Sequence, residues 1–317
     1  MTELSGGASS GVTASLFDPA VQSCPFEFYR QLHQHSPVYR LPGSDMWIVS
    51  AYDDLREVLS DPARFSSQSN FGSGLQRGRT AAYQDILEEK GWRHVATLQR
   101  SDPPEHTRYR KLLNRVFTAR RVAGLASHID GIADELIDAF IGQGRCDFMH
   151  DFALQLPGIV ICEQLGLSRR ELWRFKDWAD AMLAMSTRVL DDDELRATAE
   201  NEAEAQRYFA VVFERRRAEP ADDLMSALVH AGIDGEEPLS MHELDNHFCL
   251  GAALARQELR SSFTATLARL DDIELDGDLP DPAHHPSMFF LPMKALPLRF
   301  TAKSPDSSTS TGTQACK

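Results

Sequence analysis

His247-Phe248-Cys249-Leu250-Gly251-Ala252-Ala253-Leu254-Ala255-Arg256 places one cysteine between a short apolar lead-in and a glycine, directly ahead of an amphipathic run. Past the cysteine, Leu250, Leu254, Phe263, Leu267 and Leu270 recur at roughly helical spacing, which predicts a core-facing helix beginning here. A thiol at a helix start meets oriented backbone N–H groups and the positive end of the helix dipole, and both favour the thiolate. A soft anionic sulfur is a good axial ligand for iron. A lone cysteine among apolar residues can equally be buried and inert. The decapeptide alone leaves both readings open.

A second phrase lies far upstream: Ser101-Asp102-Pro103-Pro104-Glu105-His106-Thr107-Arg108-Tyr109-Arg110. Asp102 and the two prolines set a helix start, because proline is tolerated in the first turn. His106 and Arg110 are four apart and share one helical face. Two such donors suit a pair of carboxylates, through charge-assisted hydrogen bonds. Solvated charges at a surface helix start are the plainer alternative.

The cysteine phrase resembles the haem-ligand loop of the cytochrome P450 family, where H-F-C-L-G-A-x-L-A-R carries the proximal cysteine. The upstream phrase resembles the D-P-P-E-H-T-R-x-R segment of its bacterial members. Residues 47–67, 156–166, 214–239 and 287–300 are similar to further family segments in the family's order, so the resemblance runs from about 17 to 300. It implies a mainly α fold with small β-sheets (α+β) and a haem b cofactor. Cys249 would be the iron ligand, His106 and Arg110 the propionate partners, and His247 a further cofactor contact. It also implies a monooxygenase that inserts one atom of O2 into a small organic substrate, with electrons from a ferredoxin-type donor.

The resemblance breaks between 239 and 249. His242, Glu243 and Asp245 stand where the family has a phenylalanine and two glycines. The long central helix and the elements after it are missing, so the chain reads as internally deleted, with a seam near 240–247. The family's acid and threonine, which bind dioxygen and relay protons, have no counterpart, and no catalytic residue is identifiable. The stretch 231–236 superficially resembles that motif but lacks the threonine. The E-x-x-R matches at Glu27–Arg30, Glu105–Arg108, Glu171–Arg174 and Glu214–Arg217 all precede the seam and read as chance. The other hypothesis is therefore a non-catalytic product of a shortened gene that binds haem weakly or not at all. An acidic helical binding module unrelated to haem is a third, supported by composition alone.

At 317 residues the chain can bury a large core, and its 42% hydrophobic and 25% charged residues are those of a globular protein. A net charge of −14 argues against nucleic-acid binding, which needs clustered Lys and Arg. No apolar run approaches the roughly 20 residues that cross a bilayer, so no membrane association is expected. The five cysteines include no C-x-x-C pair, which predicts reduced thiols, a cytoplasmic location and no closed zinc site. The expected organisation is a loose tail over 1–14, one domain over 15–302 and a disordered tail over 303–317.

Along the chain, helices are expected within 25–38, after a cap at Asp53, and over 107–117, 122–141, 156–165, 169–185, 193–217 and 222–231. Trp47-Ile48-Val49 reads as a strand, 271–300 as hairpins and loops, and 65–78 as a long flexible loop. Substrate contacts would come from 65–98 and from Trp178, Met182 and Met185, although ordinary helix core explains the latter three as well. Arg108, Lys111, Arg115 and Arg256 form either a basic face for an acidic electron donor or a scatter of solvated charges.

Overall fold

Helices form where the sequence supplies both a cap and an apolar stripe. The computed structural model describes residues 12, 14–68, 79–232, 238–245, 251–280 and 283–303. Helix α1 is Pro19–Ser23, α2 is Phe26–His35, α3 is Tyr52–Ser60 and α4 is Thr80–Lys90. They are followed by α5 (Glu105–Val116), α6 (Ala119–Ile141), α7 (Gln155–Gln164), α8 (Leu172–Thr187) and α9 (Asp192–Ala218). Three more, α10 (Leu224–Val229), α11 (Met241–Asp245) and α12 (Ala252–Arg269), complete the helices.

The longest, α9, shows the local logic. Asp191 and Glu194 form a reciprocal capping box, acids fill its first turn and Arg215, Arg216 and Arg217 its last, so both ends complement the helix dipole. Its inner face carries Leu195, Ala199, Phe209, Val212 and Phe213 into the core. Helix α7 ends on Gly166 at φ 72°, with Leu167 N–H donating to Cys162 O at 2.8 Å and Gly166 N–H to Glu163 O at 3.0 Å. That paired closure requires a left-handed residue, which glycine adopts without strain.

Two small antiparallel sheets flank the helices. Strands β1 (Val38–Arg40) and β2 (Trp47–Val49) pair with Val38 opposite Val49. Strands β3 (Arg145–Asp147), β4 (Leu270–Leu275) and β5 (Pro297–Ala302) form a sheet in the order β3-β5-β4. The hairpin expected near the C-terminus is thus β4–β5. The main core gathers α5, α6, α7, α9 and α10 around Leu112, Ile129, Ile132, Phe152, Trp178 and Phe213.

Three expectations need correction, and one open choice is decided. The stretch 65–98 is not all loop, because α4 buries Tyr83 and Leu87 against α8 and α9. Asp53 lies inside the first turn of α3, whose cap is Ala51 without a side-chain bond. Trp178 and Met185 are core residues at 1% and 3% exposure, the plainer of their two readings. Finally, α12 turns only part of its apolar surface inward. Leu254 and Leu270 are buried, whereas Phe263 is 64% and Leu267 59% exposed. The helix lies along α6 on the face that carries Ser261 and Thr266, and Leu259, Phe263 and Leu267 point the other way.

His247, Cys249 and Leu250 lie outside the described residues, as do most of the expected tails and 69–78. Among the described residues no helix is long and apolar enough to cross a membrane.

Candidate functional site

Three helices each turn one stripe toward a common cleft of about 810 Å³. From α5 and its C-cap come Arg110, Leu113, Asn114 and Phe117, and from α7 and its N-cap Leu154, Pro157, Gly158 and Ile161. Both sets have the i, i+3, i+4, i+7 spacing of one helical face. From α8 come Leu172, Phe175, Lys176, Ala179 and Asp180, and the first turns of α12 close the cleft with Leu254, Arg256 and Glu258. Gly158 is required where α7 meets α8, since a Cβ there would run into the Leu172 side chain.

The walls are mostly apolar, with charge at few points. Lys176 and Asp180 neutralise each other at 2.5 Å. Arg110 is exposed to the cleft, and no acceptor among the described residues holds its guanidinium. Glu258 is half-buried, and burial raises its carboxyl to about 7. His106 lies one turn before Arg110, half-buried and close to Asp102, and is not among the residues lining the cleft. Asp102 makes no cap bond to α5; it accepts from Ser66 Oγ and from Ser67 N at 2.8 Å, tying the 66–67 loop down.

Of the charges expected on a basic face, Arg108 is half-buried and paired with Glu243 at 2.8 Å, and Arg256 lines the cleft. Arg115 donates to Gly232 O. Lys111 alone is plainly a surface charge.

Two polar clusters escaped the sequence reading. Ser240 and Glu243 form a capping box at the head of α11 (Ser240 N to Glu243 Oε2, 2.8 Å; Glu243 N to Ser240 Oγ, 3.3 Å), and Glu243 also accepts from Tyr109 OH at 2.8 Å. The S-x-x-E spacing was a legible signal for it. Deeper in, Glu202 on α9 accepts from Tyr83 OH and from His94 Nε2. Gln84 Nε2 lies 2.9 Å from His94 Nδ1, so the ring proton sits on Nε2. A glutamate between Ala199 and Ala203 on the inner stripe of α9 was the signal there.

Among the other cysteines, burial, aided by nearby acids, pushes the Cys146 and Cys162 thiols up to about 12, so neither is a thiolate.

No family model matches the chain. It is 37% identical over 220 residues to the mycinamicin IV hydroxylase/epoxidase of Micromonospora griseorubida, an overlap of 68% of this chain and 51% of that one. It is 30% identical over 284 residues to a cytochrome P450 of Bacillus subtilis, covering 89% of this chain and 66% of that one. The solved structure of cytochrome P450 CYP109Q5 from Chondromyces apiculatus superposes with a TM-score of 0.73 at 23% identity, over 92% of this chain and 99% of that one.

The chain belongs to the cytochrome P450 family. It spans about half the length of several curated cytochromes P450 that it matches. Helix α11, with its capping box, runs for one turn among the described residues. The cofactor of the family is haem b. The cleft fits that group in kind: its walls are mostly apolar, and it holds a guanidinium with no partner among the described residues, a donor suited to a carboxylate.

Proposed function

We propose that the chain is a haem-thiolate protein of the cytochrome P450 kind. Its reaction would be insertion of one oxygen atom from dioxygen into a small organic substrate, with electrons from a ferredoxin-type donor in the cytoplasm. One observation carries this reading. The helix that begins three residues after Cys249 in the chain lines the same apolar cleft as Arg110. Cys249 would supply the thiolate, Arg110 and His106 would take the two propionates, and His247 would be a further cofactor contact. Bound haem supplies the activation of dioxygen. Leu113, Phe117, Ile161 and Phe175 exclude water from one wall, and the unpaired Arg110 fixes the orientation of the anionic edge. The relatives named as hydroxylases and epoxidases support the reaction class, since both reactions insert one oxygen atom.

A second reading has its own support. The exposed Leu259, Phe263 and Leu267 and the lack of the family's acid and threonine in the sequence favour a non-catalytic product of a shortened gene. Such a chain would bind haem weakly or not at all.

Spectroscopy separates the two. The chain is supplied with haem, reduced and exposed to carbon monoxide, and the difference spectrum is recorded. A thiolate-type Soret band that vanishes in Cys249→Ala supports the first reading, and oxygen-dependent turnover with a ferredoxin system completes it. A band without turnover favours the second, and absence of haem uptake removes the first.

A further inference from the structure

Of the two carboxyls lining the cleft, Asp180 is paired with Lys176, and Glu258 has no task in the propionate reading. Glu258 on α12 lines the cleft shared with Arg110, and no hydrogen bond or ion pair reaches its carboxylate among the described residues. Burial alone raises this carboxyl to about 7; no neighbouring cation contributes to offset it. An anion entering the cleft therefore meets a guanidinium that attracts it and a carboxyl whose ionised form repels it.

Few other charged groups face the cleft. From α8, Lys176 and Asp180 face the cleft as a closed pair at 2.5 Å. Arg256 lines the cleft from α12 itself, and α7 contributes only Leu154, Pro157, Gly158 and Ile161. Helix α6, packed along α12, directs Asp134 and Asp138 to Arg269 at the far end. His106 on α5 is the remaining titratable group near Arg110.

We propose that occupancy of this cleft by a carboxylate-bearing tetrapyrrole is linked to a proton on Glu258: the neutral side chain admits the anion and the ionised side chain opposes it. The proposal rests on the reading of the cleft as the haem site and adds its regulation. A proton taken up by Glu258 accompanies binding at neutral pH, so affinity rises as pH falls.

The test uses metal-free protoporphyrin IX and the full chain, read by porphyrin fluorescence at pH 6 and pH 8. Without iron the readout does not depend on Cys249. Wild type is expected to bind about fivefold tighter at pH 6 than at pH 8, at the low end of coupling between sites. Glu258→Gln, which has the shape of the neutral acid, should bind with the tighter affinity at both pH values. His106→Gln, which removes the other proton-binding group assigned to a propionate, should still show a slope. The dimethyl ester of the same porphyrin, lacking the carboxylates, should show none. Porphyrin binding with no pH slope in wild type, or a slope that survives in Glu258→Gln, overturns the proposal and leaves the cleft reading standing. Absence of porphyrin binding at both pH values overturns the two together.

Discussion

Arg108 and Glu243, 135 residues apart in the chain, meet at 2.8 Å and fasten the one-turn α11 to α5. Burial alone would raise the Glu243 carboxyl. The backbone N–H of Ser240 and the side chains of Arg108 and Tyr109 outweigh that and hold it down to about 2. The native state thus binds the proton less readily than the unfolded chain. The resulting stability is present above the ordinary glutamate value near 4.5 and is lost as pH falls toward 2. Because solvent reaches and screens part of the pair, wild type should exceed Glu243→Gln by about 1.5 kcal/mol at pH 7. The two should converge at pH 2. Urea unfolding at both pH values checks this; a constant gap would remove the linkage.

The buried cluster of Tyr83, His94 and Glu202 joins α4 and its following segment to α9. Glu202 is 1% exposed, so Glu202→Ala would remove from the interior the acceptor shared by the Tyr83 hydroxyl and the His94 imidazole. Breaking a buried pair of this kind costs about 3 kcal/mol, and Tyr83→Phe alone about 1 kcal/mol. The double variant should be less destabilised than the sum, because both changes remove one hydrogen bond. Strict additivity in a chemical-denaturation cycle would show that the two side chains act independently.

How far the sequence could be read follows from what periodicity measures. The stripes of α5, α6, α7 and α9 were legible because each meets a neighbour, and the Leu-Gly-Leu closure of α7 was local chemistry. Helix α12 has the same apolar spacing, yet spacing alone does not say which stripe finds a partner. Leu254 does and Phe263 does not. Helix α4 was missed because a Ser/Gly/Gln-rich stretch precedes it, although Tyr83, Leu87 and Lys90 carry a helical pattern. At the cleft, Arg110 belongs to a motif that the sequence singles out. Glu258 is not singled out, because its environment is set by helices α5, α7 and α8, remote in sequence.

The outward face of α12 offers a test of that distinction. Phe263 is 64% exposed between Leu259 and Leu267, so its ring contributes little to the fold and much to an exposed apolar stripe. Phe263→Glu should leave the urea midpoint within about 0.5 kcal/mol of wild type, as surface changes do. It should also reduce binding of an apolar dye and aggregation on heating. A loss of several kcal/mol would mean that an element outside the described residues covers this face.

Gly158 on α7 faces the Leu172 side chain on α8 at the wall of the cleft. A methyl group at 158 would overlap the end of the Leu172 side chain, which would have to shift. Overpacking of this sort costs about 1–3 kcal/mol, and Leu172→Ala by itself about 2–3 kcal/mol through the cavity it leaves. In Gly158→Ala/Leu172→Ala the new methyl fills part of that cavity, so the double variant should be no less stable than Leu172→Ala alone. The same cycle bears on the site, because Gly158→Ala pushes α8 outward and widens the cleft, which should weaken protoporphyrin binding while Glu258 keeps its pH slope. If Gly158→Ala proves neutral in both stability and porphyrin affinity, the two helices do not make the contact from which the wall is built.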